Sequence, residues 1–263
     1  MPIPGKETLA LFCAAFLALS AVTGMSAATE EKTFTAVSDT YIRSDSDAVQ
    51  SNGTSGQITV GSLANGADMR GLFSFDLSSL NLASNQSISS VTLVLTSIGK
   101  DGVGDSVEDN ITVELYALET TFVESQATWS KATTDTSWGT PGGDLGTAFG
   151  GTSVKTGIGT AVADGGERGK QYTWKISEKA AVDYITSCVG SSLNLILKRD
   201  VITNIRTIAN FASKDHGTTN YRPQLVIEIM TAPIPEPATF VFVSGILVLG
   251  ATCVWRGNRF RKS

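Results

Sequence analysis

The feature that most constrains this chain is a succession of short runs in which apolar and polar residues alternate. Each run closes on a cluster of Gly, Asn, Asp or Ser. The runs are KTFTAV, QITVG, GLFSFDL, SSVTLVLTSIG, ITVELYAL, QYTWKI, LNLILKR, RTIANFAS and PQLVIEI. Side chains on a strand point alternately to opposite faces, so a period of two marks strands with one buried face. Enrichment in Val, Ile, Thr and Phe gives the same reading. In RGLFSFDLSSL, Phe73 and Phe75 share one face, and Asp76 and Ser78 are expected to start the turn. One stretch breaks the period. SEKAAVDYITSCV places Ala181, Tyr184, Ile185 and Cys188 on one helical face, with Ser177 as its expected cap. About ten strands and one helix predict an all-β fold, a jelly-roll-like antiparallel β-sandwich with one short helix. The Gly-, Thr- and Asp-rich stretch from Ala132 to Gly169 is expected to form long loops with one or two short strands such as SVKTG. Loops of this kind on a rigid sandwich are where binding sites sit.

Both ends depart from this pattern. Lys6 precedes an apolar stretch from Leu9 to Val22, and Ser26, Ala27 and Ala28 then supply the small side chains that signal peptidase requires. Residues 1–28 are therefore expected to be a secretory signal peptide. Near the other end, Pro233, Pro235 and Pro237 make an extended linker ahead of 18 uncharged residues, Ala238 to Trp255. That run predicts a transmembrane helix over 238–255. The basic tail 256–263, with Arg256, Arg259, Arg261 and Lys262, sets the C-terminus on the cytoplasmic side. Residues 29–232 remain as one domain, long enough for a single sizeable core.

Charge and cysteine usage exclude whole classes of function. Residues 29–255 carry 15 Lys+Arg against 24 Asp+Glu, a net charge of −9. Such a body is a poor partner for nucleic acid or for an anionic membrane surface. Cys13 and Cys253 lie in the terminal segments, which leaves Cys188 alone in the domain, unable to form an internal disulfide or a zinc set. The only histidine, His216, is distant from it in sequence. There is no GxSxG elbow, P-loop, HExxH or nucleotide fingerprint, so no enzyme is expected. A glycosidase-like carboxylate pair is something any acidic sandwich offers by chance.

Binding chemistry is better represented. Sugar rings stack on aromatic faces, and Trp138 and Tyr221 lie in loop-like context, whereas Trp174, Tyr116 and Tyr172 sit in strand patterns that suit core packing. Trp129 reads as a core or rim aromatic, and Glu124, Ser125 and Thr128 beside it as makers of local turns. Arg43, Arg70, Lys198, Arg199, Lys214 and Arg222 lie at strand ends or beside DHGTTNY. If they converge on one sheet face, they would bind uronate carboxylates through charge-assisted hydrogen bonds; otherwise each pairs with a neighbouring acid or stays solvated. Asp101, Asp105, Glu108 and Asp109 in DGVGDSVED are candidate ligands for a structural Ca2+, as are Asp45 and Asp47 in SDSD. Neither group has EF-hand spacing.

Several blocks follow one another in a set order: SDTYIRSDSDAVQSNGTSGQITVG, RGLFSFDLSSL, ISSVTLVL, ITVELYALETTFVESQATW, WGTPGGDLG, YTWKISEKAAVDYI, LNLILKRD and ANFASKDHGTTNYRPQLVIEI. This succession resembles the DNRLRE domain, a jelly-roll module related to disaggregatase repeats and to a carbohydrate-binding-module family. The resemblance implies a secreted polysaccharide-binding protein, with acidic polysaccharides among the ligand classes. At the C-terminus, Pro235-Glu236-Pro237, the apolar segment and the arginines together resemble the PEP-CTERM sorting signal. That resemblance implies export, transient anchoring in the inner membrane, processing by an exosortase, and delivery to the cell surface, outer envelope or exopolysaccharide matrix. A permanent membrane anchor is the alternative for the tail. A structural or adhesive matrix protein without a sugar site is the alternative for the domain, and a polysaccharide lyase or glycosidase is a third reading.

Overall fold

A computed structural model of the chain describes residues 27–45, 52–99, 110–155 and 168–233. The strands are β1 (Ala28–Arg43), β2 (Gln57–Ser62), β3 (Asp68–Asp76), β4 (Gln86–Thr96), β5 (Asn110–Leu118), β6 (Leu145–Lys155), β7 (Gln171–Ile176), β8 (Ser192–Arg199), β9 (Thr207–Ala212) and β10 (Gln224–Thr231). Helix α1 (Lys179–Ser187) lies between β7 and β8, and a short 3-10 turn, Thr219–Tyr221, precedes β10. All nine alternating runs are strands. The tenth, β6, is an 11-residue strand inside the stretch expected to be mostly loop. Its glycines and threonines conceal the alternation, because Gly brings no apolar side chain to the buried face.

The strands hydrogen-bond in the order β6-β5-β8-β3-β1-β10-β4-β7, with β2 pairing both β3 and β9. One layer is β6-β5-β8-β3-β1 and the other is β10-β4-β7. The 16-residue β1 belongs to both, so the layers form one continuous sheet folded over a shared core. The expectation of an antiparallel β-sandwich holds for the layering, but the two layers are continuous through β1. The ends of the order approach each other, where the Thr152 hydroxyl on β6 donates to the Thr173 carbonyl on β7 at 2.7 Å. The result is nearly a barrel.

Alternation decides what fills it. On β7, Tyr172, Trp174 and Ile176 are buried and Gln171, Thr173 and Lys175 exposed. The core joins Phe73, Phe75, Val113, Leu115, Leu195 and Leu197 of one layer to Val91, Leu93, Leu225 and Ile227 of the other. Phe211 of β9 meets Trp174 and Tyr172 edge-on, at centroid distances of 5.9 and 6.2 Å. Each large apolar side chain so buried contributes about 1.5–3 kcal/mol. The Trp174 indole N–H donates to the Val113 carbonyl at 2.8 Å, satisfying its polar edge inside the core.

Helix α1 buries Ala181, Val182 and Ile185. Its N-cap is Glu178, one residue after the expected Ser177, and the Glu178 side chain makes no capping bond. Among the described residues, no helix is long and apolar enough to cross a membrane. The expected signal peptide, 1–28, lies outside the described residues apart from its last two. The expected transmembrane helix, 238–255, and the sorting residues Pro235, Glu236, Pro237, Arg256, Arg259 and Arg261 lie outside them entirely.

Candidate functional site

A second, smaller core shapes the outer surface of the β5-β8-β3-β1 layer. Ile42, Leu72, Leu118 and Ile196 face outward from that layer, and Phe122, Ala127, Ala132 and Trp138 from the loop after β5 cover them. This placement corrects the expectation for Trp138. It is 5% exposed, and its indole N–H donates to the Thr128 carbonyl at 2.8 Å, so no ring face is offered to a sugar. The loop folds back over a sheet, and such coverage leaves no periodic signal in its sequence.

The expected basic face is not assembled. The register sets Gly71 opposite Leu197 and Lys198 opposite Glu114, which brings Arg70, Lys198 and Glu114 into one outward row. Arg70 nevertheless serves the loop. Its Nε donates to Asp68 Oδ2 at 2.7 Å, its Nη1 donates to the Gly142 carbonyl at 2.9 Å, and its guanidinium lies 4.8 Å over the Trp129 ring. Gly142, at φ +95°, fits against Trp129 and Arg70 only because it has no Cβ. Lys198 pairs with Glu114 at 2.8 Å and lies 5.6 Å over the Tyr116 ring. Hydrogen bonding to Lys198 holds the Glu114 carboxyl below its ordinary pKa, while burial and Glu114 push the Tyr116 phenol up.

The other candidates are similarly engaged. Arg43 pairs with Asp45 at 2.9 Å, and its hydrogen bond is the main cause that holds the Asp45 carboxyl below the usual range. Arg199 corrects its expectation, being 4% exposed and donating through Nη1 to the hydroxyls of Ser62, Thr203 and Thr207. It shares the inward parity of Leu193, Leu195 and Leu197, so it anchors the β8–β9 connection. Arg222 Nε donates to the His216 carbonyl at 3.1 Å. The Tyr221 ring is stacked on His216, with centroids 5.5 Å apart and planes 15° apart, so one of its faces is occupied.

Lys214 leads to a site that sequence reasoning did not single out. A groove of about 700 Å³ is lined by Ser38, Gly53, Thr54, Phe122, Val123, Glu124, Ser125, Lys214 and Asp215. That volume is in the range of small-molecule sites. The Lys214 ammonium lies 2.9 Å from Asp215 and 3.1 Å from Glu124. Burial works against its charge, but the bonds to these two carboxylates outweigh burial and raise its pKa. Glu124 Oε2 also accepts from the Ser38 hydroxyl at 3.3 Å. Glu124 is thus a long-range partner rather than a local turn former, whereas Thr128 does make the local turn, accepting from the Lys131 N–H. Gly53 backs directly onto Glu124, and a Cβ there would fall 2.5 Å from the Glu124 carbonyl oxygen.

Behind this wall sits Asp39, 1% exposed. Its Oδ2 accepts from the Lys214 backbone N–H at 2.6 Å, and its Oδ1 has no hydrogen-bond partner among the described residues. Burial, reinforced by Glu124 and Asp215, raises its pKa to about 7. So enclosed a carboxyl cannot reach a substrate. Cys188 is half-buried, and burial raises its thiol pKa, the opposite of what an activated nucleophile needs. Asp101, Asp105, Glu108 and Asp109, the expected Ca2+ ligands, lie outside the described residues, as does Asp47. Among the described residues, no cluster of three or more His, Cys, Asp or Glu could hold a metal.

A groove of this size, walled by loops on a layered β-fold, is a place where a ligand could sit. Residues 30–140 match the model of carbohydrate-binding module family 96, a stretch that makes up less than half of the chain. The match supports a carbohydrate-binding domain there, and modules of that class are in general non-catalytic. Seven of the nine groove residues fall inside it, all but Lys214 and Asp215. No curated protein matches the chain. Among solved structures, that of infectious bursal disease virus Gx strain is 12% identical, covering 84% of this chain and 48% of its own, with a TM-score of 0.18. That of the Gt strain is 11% identical, covering 84% and 47%, with a TM-score of 0.14. This chain spans about half the length of each, and similarity at that level carries no argument about fold or function.

Proposed function

We propose that this chain is an exported, non-catalytic polysaccharide-binding protein, and that the groove around Lys214 is its binding site. The observation that carries the reading is that the carbohydrate-binding-module match contains most of the groove wall, from Ser38 to Ser125. The groove supplies what a glycan requires: carboxylates and hydroxyls for its O–H groups, and the apolar side chain of Val123 for its C–H faces. The amino-terminal export signal, the DNRLRE-like succession of blocks and the PEP-CTERM-like tail support the setting. In that setting an exosortase processes the tail after transient inner-membrane contact, and the domain works at the cell surface or in the exopolysaccharide matrix. An acidic polysaccharide is the ligand class implied by the family resemblance; the charge of the groove bears on that choice below.

Affinity gel electrophoresis of the full chain against a panel of polysaccharides, with and without calcium, tests the reading. Retardation by at least one polysaccharide is expected. Free migration in every gel would leave a structural or adhesive matrix protein. Release of unsaturated or reducing sugar ends would instead restore the lyase or glycosidase reading.

A further inference from the structure

We propose that the groove takes an uncharged, hydroxyl-rich glycan and rejects uronate polymers, because its lysine is already neutralised by two carboxylates. This rests on the polysaccharide-binding reading above. Lys214 is the one cation among the nine described lining residues, against the anions Glu124 and Asp215. The formal balance is one positive charge to two negative, before Asp39 behind the wall is counted. Its ammonium is held 2.9 Å from Asp215 and 3.1 Å from Glu124. A uronate carboxylate seeking that ammonium would arrive beside two like charges, or would have to displace one of them.

A neutral sugar meets no such penalty. Its hydroxyls donate to Glu124 and Asp215, and they can both donate to and accept from Ser38, Thr54 and Ser125. Val123, 40% exposed, offers an apolar side chain to the C–H face of a ring, and the buried Phe122 backs it. The pattern extends beyond the groove: Arg43, Arg70 and Lys198 are likewise paired, with Asp45, Asp68 and Glu114. These pairs leave no uncompensated cation among them to recruit a polyanion.

The test is affinity electrophoresis and depletion binding of the full chain in mild detergent at physiological salt. The probes are neutral polymers (β-glucan, galactomannan, arabinoxylan and dextran) and the uronates polygalacturonate and alginate. Retention by at least one neutral polymer is expected, with none by the uronates. Ser125→Trp fills the groove from an exposed position and should weaken neutral binding by at least about tenfold at unchanged melting temperature. Asp215→Lys, which reverses the sign of the groove, should create retention by polygalacturonate. Wild-type retention by a uronate, removed by Ser125→Trp, would overturn the inference and leave the polysaccharide reading standing. Neutral binding that Ser125→Trp does not touch would overturn the groove assignment. Retention by none of the polymers would overturn the reading itself, and the inference with it.

Discussion

Arg70 stacks on Trp129, with its guanidinium 4.8 Å from the ring centroid, while the same side chain holds Asp68 and the Gly142 carbonyl. An arginine expected to read a ligand is instead the clasp that ties the 119–144 loop to the sheet. Arg70→Ala would leave the Asp68 carboxylate and the Gly142 carbonyl without their partner and remove the stacking. A loss of about 3 kcal/mol is expected. Thermal unfolding measures it, and limited proteolysis should locate new cleavage within 119–144. Arg70→Lys should recover only part of the stability, because an ammonium cannot span both partners in that geometry.

Asp39 makes stability depend on pH. Its carboxyl titrates at about 7 in the folded chain against an ordinary value of 3.8. Between those values the folded state holds a proton that the unfolded state has lost. Stability contributed by this group is therefore fully present below the lower value, and it falls as pH rises to about 7. The slope approaches about 1.4 kcal/mol per pH unit and the curve is level above that window. Asp39→Asn keeps an acceptor for the Lys214 N–H and removes the buried charge. The variant should be more stable than the parent by on the order of 2–4 kcal/mol above about pH 8, and it should lose that advantage in acid. Melting curves of the two proteins across pH compare them directly.

Trp138 is a covering residue of the outer core. Trp138→Phe retains the apolar bulk but leaves the Thr128 carbonyl unpaired, at a cost of about 1–2 kcal/mol. Glycan affinity per folded molecule should not change. A melting curve and a binding isotherm on the same sample separate the two effects.

Gly53 fixes how closely the wall at 52–55 approaches the wall at 122–125. In Gly53→Ala the new methyl would overlap the Glu124 backbone, so the walls must part. The expected result is a destabilisation of about 1–3 kcal/mol together with weaker glycan retention. Calorimetric unfolding and affinity electrophoresis check the two halves.

Strand positions were readable wherever apolar side chains alternate, as in Tyr172, Trp174 and Ile176, because burial on one face imposes that period. Strand β6 was readable only at its SVK end, since Gly146, Gly150 and Gly151 put no side chain on either face of the rest. The inward parity of Arg199 with Leu193, Leu195 and Leu197 was available in LNLILKR, but a charged residue at a strand end reads as exposed until its hydroxyl partners, the distant Ser62 and the nearby Thr203 and Thr207, are located. The groove was harder still. Ser38, Thr54, Glu124 and Lys214 come from four separate segments, and no local pattern announces that antiparallel pairing and the folded-back loop will bring them together. The cations at strand ends are plain in the sequence. What their sequence could not disclose is that Asp45, Asp68, Glu114, Glu124 and Asp215 would stand beside them.

The central claim, that a glycan occupies the groove, is tested most directly by hydrogen exchange of the full chain with and without a retained polysaccharide. The account predicts ligand-dependent protection at Ser38, Gly53 and Thr54, at 122–125 and at Lys214 and Asp215, with the outer row of Arg70, Lys198 and Glu114 unchanged. Protection confined to that outer row, or the absence of any protection on binding, would contradict it.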